Sequence, residues 1–202
     1  MPDTDKKPYS GLLSAAIRTS ARWILDTIPL ALGIQKIPDL LPNTTGKNEI
    51  KLSLPSYCQT DTYSCGALAG WSVLKFLKSN ANFKVFYEAC APDREYGTSN
   101  ARLMAALRKH GVSVGDRKNL GFKTIHRCIR SGKPIPAAIA EGAIFDDDAA
   151  HWIVIYGVGT KPNRIFISGK TRPGFSRQQL TWHEFKSIWY PQGHGLVCSV
   201  KG

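Results

Sequence analysis

The sequence predicts an α+β fold, with helices first, an antiparallel sheet after them, and one long apolar helix packed against that sheet. Two observations carry this. From Ser10 to Ser131 the apolar residues recur mainly at helical spacing, and several segments end in helix-stop residues. From Ile135 onward they gather instead in short β-branched runs separated by turn residues. A composition of 43% hydrophobic and 21% charged residues over 202 positions is that of a globular chain able to bury a core without disulfides.

Residues 1–8 are polar. Between Ser10 and Ile34, Leu12, Leu13, Ala16, Ile17, Trp23, Ile24, Ile28 and Leu32 recur at near-helical spacing and predict one or two helices. Arg18, Arg22, Asp26 and Pro29 interrupt the run, which is too short and too charged to span a membrane. This segment is expected either to pack on the domain or to contact a membrane surface or a partner. Asp3 and Asp5 argue against a signal peptide. Pro38 to Lys51 has linker composition. The chain therefore divides into a helical extension and linker over residues 1–50 and a main domain over 51–202.

In the main domain, Cys65 to Lys78 (CGALAGWSVLKFLK) predicts a long helix beginning at a glycine-containing turn. Ser99 to His110 predicts a second, with Ser99 as N-cap, an apolar face from Leu103, Ala106 and Leu107, and Gly111 as a stop. Thr124 to Ser131 predicts a third. Strands are expected over Ile135 to Ala140, His151 to Val158, Arg164 to Ser168 and Leu196 to Val200. Thr181 to Trp189 predicts a short helix opened by a capping box from Thr181 and Glu184.

The net charge is +12, but the basic residues are spread along the chain, with no dense run and no nucleic-acid motif. A solvated basic surface is the simplest reading, and no specific nucleic acid is expected as partner. Such a field would also steer an acidic peptide. The five cysteines (Cys58, Cys65, Cys90, Cys128, Cys198) are scattered, without CxxC pairs or zinc-ligand spacing. They point to reduced thiols in a cytoplasm, with no metal and no cofactor.

One stretch carries chemistry: Tyr57 to Ala69, YCQTDTYSCGALA. A thiol attacks as thiolate, and a helix N-terminus favours that charge. Cys65 stands where a helix should begin. Gly66 leaves the backbone open to a substrate carbonyl, so that the Cys65 N–H could bind an oxyanion. Gln59, six residues upstream, sits in a loop able to aim its amide at the same oxyanion. His151 opens the strand HWIVIYGV and could project into a cleft as general base. Of the other histidines, His110, His126 and His183 lie in or at the ends of predicted helices, and His194, in QGHG, is the rival to His151. Tyr63 and Trp152 flank the thiol and the imidazole, and either pack in the core or narrow the cleft so that only small residues fit.

The order Gln59, Cys65, His151 resembles the papain-like cysteine peptidases, and more narrowly the bacteriocin-processing peptidases that cut after double-glycine leaders, with their stand-alone relatives. Gln59–x5–Cys65–Gly66–Ala67 is similar to that family's opening motif. Gly97–Thr98–Ser99 followed by Leu103 and Gly111 resembles its second helix and turn, and Ser131 to Ile135 the element before its central strand. His151–Trp152–Ile153–Val154 with Gly157 resembles its histidine strand, and Thr181 to Trp189 its late helix. The resemblance covers about residues 52–200. It implies a papain-like fold and a cysteine endopeptidase acting on a peptide or small-protein tail, after Gly, through an acyl-enzyme. The catalytic set would be Cys65, His151 and Gln59, with Gly66, Tyr63 and Trp152 toward the substrate.

The family's third residue is usually an Asp at the end of the next strand. Here the matching position is Ser168, seventeen residues after His151. Three readings stay open: a Cys–His dyad helped by Ser168, a triad completed by the Asn163 amide, or a degenerate module that binds leader or tail peptides without cutting them. The loop acids Asp146 to Asp148 could also assist. A protease removing a ubiquitin-like modifier is a further alternative. In many of those, His and Asp precede Gln and Cys, and no histidine precedes Cys65 here.

Overall fold

The computed structural model describes residues 48–57, 59, 61–78, 80–140, 150–172 and 175–201, with backbone only at 170–172 and 175–176. The helical segment expected over residues 10–34 lies outside the described residues, as do Cys58 and Asp146 to Asp148. Among the described residues, five helices and seven strands run in the order β1 (Glu49–Lys51), α1 (Cys65–Leu77), α2 (Phe83–Cys90), α3 (Asn100–Lys109), β2 (Val112–Arg117), α4 (Phe122–Arg130), β3 (Ile135–Ala140), β4 (Ala150–Thr160), β5 (Asn163–Arg172), β6 (Phe175–Thr181), α5 (Trp182–Ile188) and β7 (Gly195–Val200).

The fold is α+β, and both sheets are antiparallel. Strand β4 is the spine of the larger sheet. One edge of it pairs with β3 over Ala150–Ile155 and with β1 over Gly157–Gly159; the other pairs with β5, which carries β6. Strands β2 and β7 form a separate two-stranded sheet. Among the described residues the helices-first order is interrupted only by β1, which precedes α1, and by β2, which lies between α3 and α4. The end of the expected linker is strand β1, held by its ladder to β4 rather than by any pattern of its own. The polar β6 (FSRQQLT) is likewise fixed by pairing with β5. Helix α2 was also not expected, although Asn82 caps it by accepting from the Val85 N–H.

The local signals fare well elsewhere. Ser99 accepts from the Arg102 N–H at the start of α3. Thr181 and Glu184 make both bonds of the capping box. Strand β4 is buried from His151 to Gly159, which explains its unbroken apolar run. One sheet face packs Ile135, Ile139, Ile153, Ile155 and Ile167 against Ile125 and Ile129 of α4 and Phe185 of α5. Over the other lies α1, buried at every residue from Cys65 to Leu74. A helix apolar all round is stable only when enclosed. Gly70 makes that enclosure tight: a Cβ there would stand 2.5 Å from Leu103 Cδ1 and 2.9 Å from Phe86 Cζ.

Phe185 has no exposed surface, and its ring centroid lies 4.9 Å from that of Trp189. Phe185→Ala is expected to cost about 3–5 kcal/mol of stability through the cavity it leaves. Urea unfolding checks this, as a lower midpoint with an unchanged slope.

Candidate active site

Cys65 is the first residue of α1, and its approach is shaped by a turn rather than by a side-chain cap. Ser64, at the N-cap, makes no side-chain capping bond. Instead Asp61 Oδ1 accepts the backbone N–H of Ser64 at 2.7 Å and of Tyr63 at 3.0 Å. The same oxygen accepts from Gln59 Nε2 at 3.4 Å. Asp61 thus ties the Gln59 amide to the turn that delivers Cys65. The first turn of α1 carries no acidic residue, so the positive end of the helix acts unopposed by its own side chains.

The tertiary fold brings four distant positions to one small cavity. Gln59 from the loop, Cys65 from α1, His151 from β4 and Ser168 from β5 all line a space of about 20 Å³, with Tyr57 and Trp152 beside them. That volume holds little more than one water. Gln59, Cys65, His151 and Ser168 are at most 9% exposed, so any charge formed there is largely withdrawn from solvent. Burial also pushes the Tyr57 phenol up, against a hydrogen bond with Trp71 that lowers it.

Ser168 reaches this cavity through a bulge. The β4–β5 register shifts between Ile155 and Gly157, which sets Ser168 opposite Val154. Its hydroxyl lies 3.0 Å from that of Ser56, in a buried pair. Across the next ladder Ser168 faces Arg177, whose guanidinium donates to the Leu54 carbonyl and lies 4.8 Å from the Tyr156 ring centroid. Asn163 does not come near: it pairs with Thr160 at the far end of β4 and is exposed. The amide-completed triad therefore has no place in this geometry.

A wider cleft of about 350 Å³ opens beside the thiol, lined by Thr62, Cys65, Tyr96, Thr98, Ala138 and Trp152 among others. Trp152 walls both spaces and is pinned by its indole N–H, which donates to the Thr98 carbonyl at 2.9 Å. Gly66 is required at this junction. A Cβ on it would lie 2.7 Å from Thr98 Cβ and 2.9 Å from Trp152 Cδ1, so close packing of α1 on β4 is a further reason for glycine. Tyr63 lines neither the cavity nor the cleft; its ring centroid stands 6.0 Å from the Arg94 guanidinium. Ser56 and Asp61 are positions that sequence reasoning did not single out, and Thr98 was named only within the Gly97–Thr98–Ser99 motif. Asp61 had a legible signal, an Asx turn before a helix, whereas the Ser56–Ser168 pair spans 112 residues and had none.

The rival groups are engaged elsewhere. His194 Nε2 bonds Asp116 Oδ1 at 2.7 Å, and His110 Nδ1 lies 2.9 Å from the Ala106 carbonyl. Burial pushes the Cys90 and Cys198 thiols up to about 12, which keeps them protonated and inert. Among the described residues, no group of His, Cys, Asp and Glu forms a metal site, and no helix is long and apolar enough to cross a membrane.

Gly66→Ala is expected to destabilise the fold by about 1–3 kcal/mol, the usual cost of forcing a methyl into a filled contact. A thermal melt monitored by circular dichroism checks it, with Gly115→Ala, where a Cβ meets nothing nearer than 3.7 Å, as the comparison expected to change stability little.

Solved structures share this fold. The peptidase domain of Streptococcus ComA, a bifunctional ABC transporter of a quorum-sensing pathway, aligns at 20% identity and a TM-score of 0.56, over 77% of this chain and 99% of that one. A double-glycine-motif protease from an AMS/PCAT transporter, solved with its leader peptide, aligns at 16% identity and 0.55, over 77% and 99%. A C39-like peptidase from Bacillus anthracis aligns at 10% identity and 0.59, over 75% and 98%. No curated protein matches the chain. The sequence profile of the Peptidase C39 family matches residues 53–200, which include every residue of the cavity and the cleft, and the chain belongs to that family of cysteine peptidases.

Proposed function

We propose that the protein is an endopeptidase that cleaves a peptide or small-protein tail after glycine, with Cys65 as nucleophile. The observation that carries this is the convergence of Gln59, Cys65 and His151 on one buried cavity beside an open cleft. The His151 imidazole takes the thiol proton, and the thiolate adds to the scissile carbonyl. The resulting oxyanion receives the Cys65 N–H and the Gln59 amide. The imidazolium then protonates the leaving amine, and water resolves the thioester to free the acid and the thiol. The preference for glycine is supported by Trp152 and Thr98, which line the cleft next to Cys65 and close in on Gly66. The double-glycine protease among the structural relatives supports it as well. The pairing of β1 with β4 supports a peptidase domain that starts near residue 49, with the preceding residues as an extension.

Ser168 acts in this reading as a positioning residue. When its hydroxyl donates to Ser56, its lone pairs remain able to accept an imidazole N–H, which orients the ring without supplying charge. The chemistry is then that of a Cys–His dyad.

A Gly-Gly acyloxymethyl ketone is expected to add one equivalent to Cys65 and to leave Cys90 and Cys198 unmodified, as read by peptide mapping. Cys65→Ala should lower the cleavage rate by a factor on the order of 10⁴–10⁶. Tight peptide binding by the wild type, with no product and no difference from Cys65→Ala, would show a binding module instead. Ser168→Ala should lower kcat about 2–10-fold with KM unchanged, the worth of one net hydrogen bond. Steady-state kinetics on one glycine-containing peptide separates the two constants.

A further inference from the structure

We propose that an acidic segment of the peptide substrate docks on a cationic basin formed by Arg117, Lys118, Arg127 and Lys133, away from the scissile bond. The inference rests on the peptidase reading of the Cys65 cavity and adds a recognition element to it.

The basin encloses about 550 Å³. Arg117 ends β2 and Lys118 follows it; Arg127 projects from α4 on the same face as Thr124 and Cys128; Lys133 stands just past that helix. Four separate cations thus face one space, and none makes a salt bridge among the described residues. The single carboxylate in the lining, Asp116, is held by His194. Their convergence is felt at Cys128: burial raises its thiol pKa, while Lys133, Arg127 and Arg117 pull it back down. Four like charges gathered around a single carboxylate repel one another, and a run of carboxylates relieves that repulsion.

Position ties the basin to the cleft. A trough of about 420 Å³ lies between them, walled by Ala138, Trp152, Pro191 and Lys118 among others. It shares Asn100, Ala138 and Trp152 with the cleft at Cys65 and shares Lys118 with the basin. An extended peptide whose glycine sits at Cys65 could therefore cross the largely apolar trough and lay acidic residues on the four cations. A nucleic acid fits less well, because the basin lining contains no aromatic platform on which bases could stack.

Two measurements test this. The first is anisotropy of fluorescein-labelled decaglutamate on Cys65→Ala protein at low salt. Adding Arg117→Glu and Lys118→Glu, or Arg127→Glu and Lys133→Glu, should weaken binding about tenfold or more. Lys84→Glu with Lys109→Glu, an equal charge change at exposed sites on α2 and α3, should weaken it less than about twofold. Equal loss in all the pairs would reduce the effect to the general field and overturn the proposal. So would decauridylate that binds at least as tightly with the same dependence on the basin. The second is kcat/KM for quenched Gly-Gly peptides with a glutamate run upstream, downstream or absent. One acidic peptide should exceed the neutral one by about tenfold in wild type and lose that advantage in the basin variants. Equal cleavage of all three would leave the peptidase standing and remove the docking role. Cleavage of none would remove the peptidase reading itself, whatever the basin binds.

Discussion

The enclosure of helix α1 is the constraint from which the rest of the site follows. Its residues from Cys65 to Leu74 are buried on every side, between β4 below and α2 and α3 beyond. Such a helix cannot rotate or slide without breaking contacts on all its faces. Gly66 and Gly70 let it approach Thr98, Trp152, Leu103 and Phe86 to distances that no Cβ would allow. The thiol at its N-terminus is therefore held in one place relative to the strand that carries His151. Groups on packed elements are positioned more closely than groups on loops, and of Gln59, Cys65, His151 and Ser168 only Gln59 comes from a loop. Asp61 compensates for that by accepting from the Gln59 amide and from the turn at once.

Charge is absent where the related peptidases are expected to have it. At position 168 a hydroxyl pair, Ser56 and Ser168, occupies buried space that a carboxylate would have to enter at a desolvation cost. The cross-strand neighbour is Arg177, so a carboxylate there would be shared between a guanidinium and the imidazole. The neutral pair avoids that competition and leaves Arg177 to the Leu54 carbonyl and the Tyr156 ring. Cationic charge is instead gathered outside the cleft, on the wall of the basin, where the proposed docking would place it on the substrate's path rather than at the bond.

Much of the fold could be read from local signals because the forces behind them are local. The Ser99 cap, the capping box of Thr181 and Glu184, the onset of α1 at Cys65 and the span of β3 all appear as expected. Strands β1 and β6 could not be read, since neither has an apolar period and each exists through its ladder to a neighbour. Helix α2 was hidden because its eight residues give too few turns for a period to emerge from FKVFYEAC and, unlike the comparably short α5, it carries no capping box.

By itself, the sequence determined the chemical vocabulary and its order: a cysteine at a helix start, a glutamine ahead of it, a histidine at a strand mouth and no acid at the third position. Those are properties of residue type and near-neighbour spacing. The tertiary structure alone decided that these groups share one cavity, that a bulge in β4 turns Ser168 toward it, and that Asn163 ends far away. It also gathered four basic residues from β2, α4 and the turns beside them into one basin. The shared cavity joins segments many tens of residues apart, and the other outcomes turn on strand register and helix packing over shorter spans, where burial and ladder bonding set the geometry.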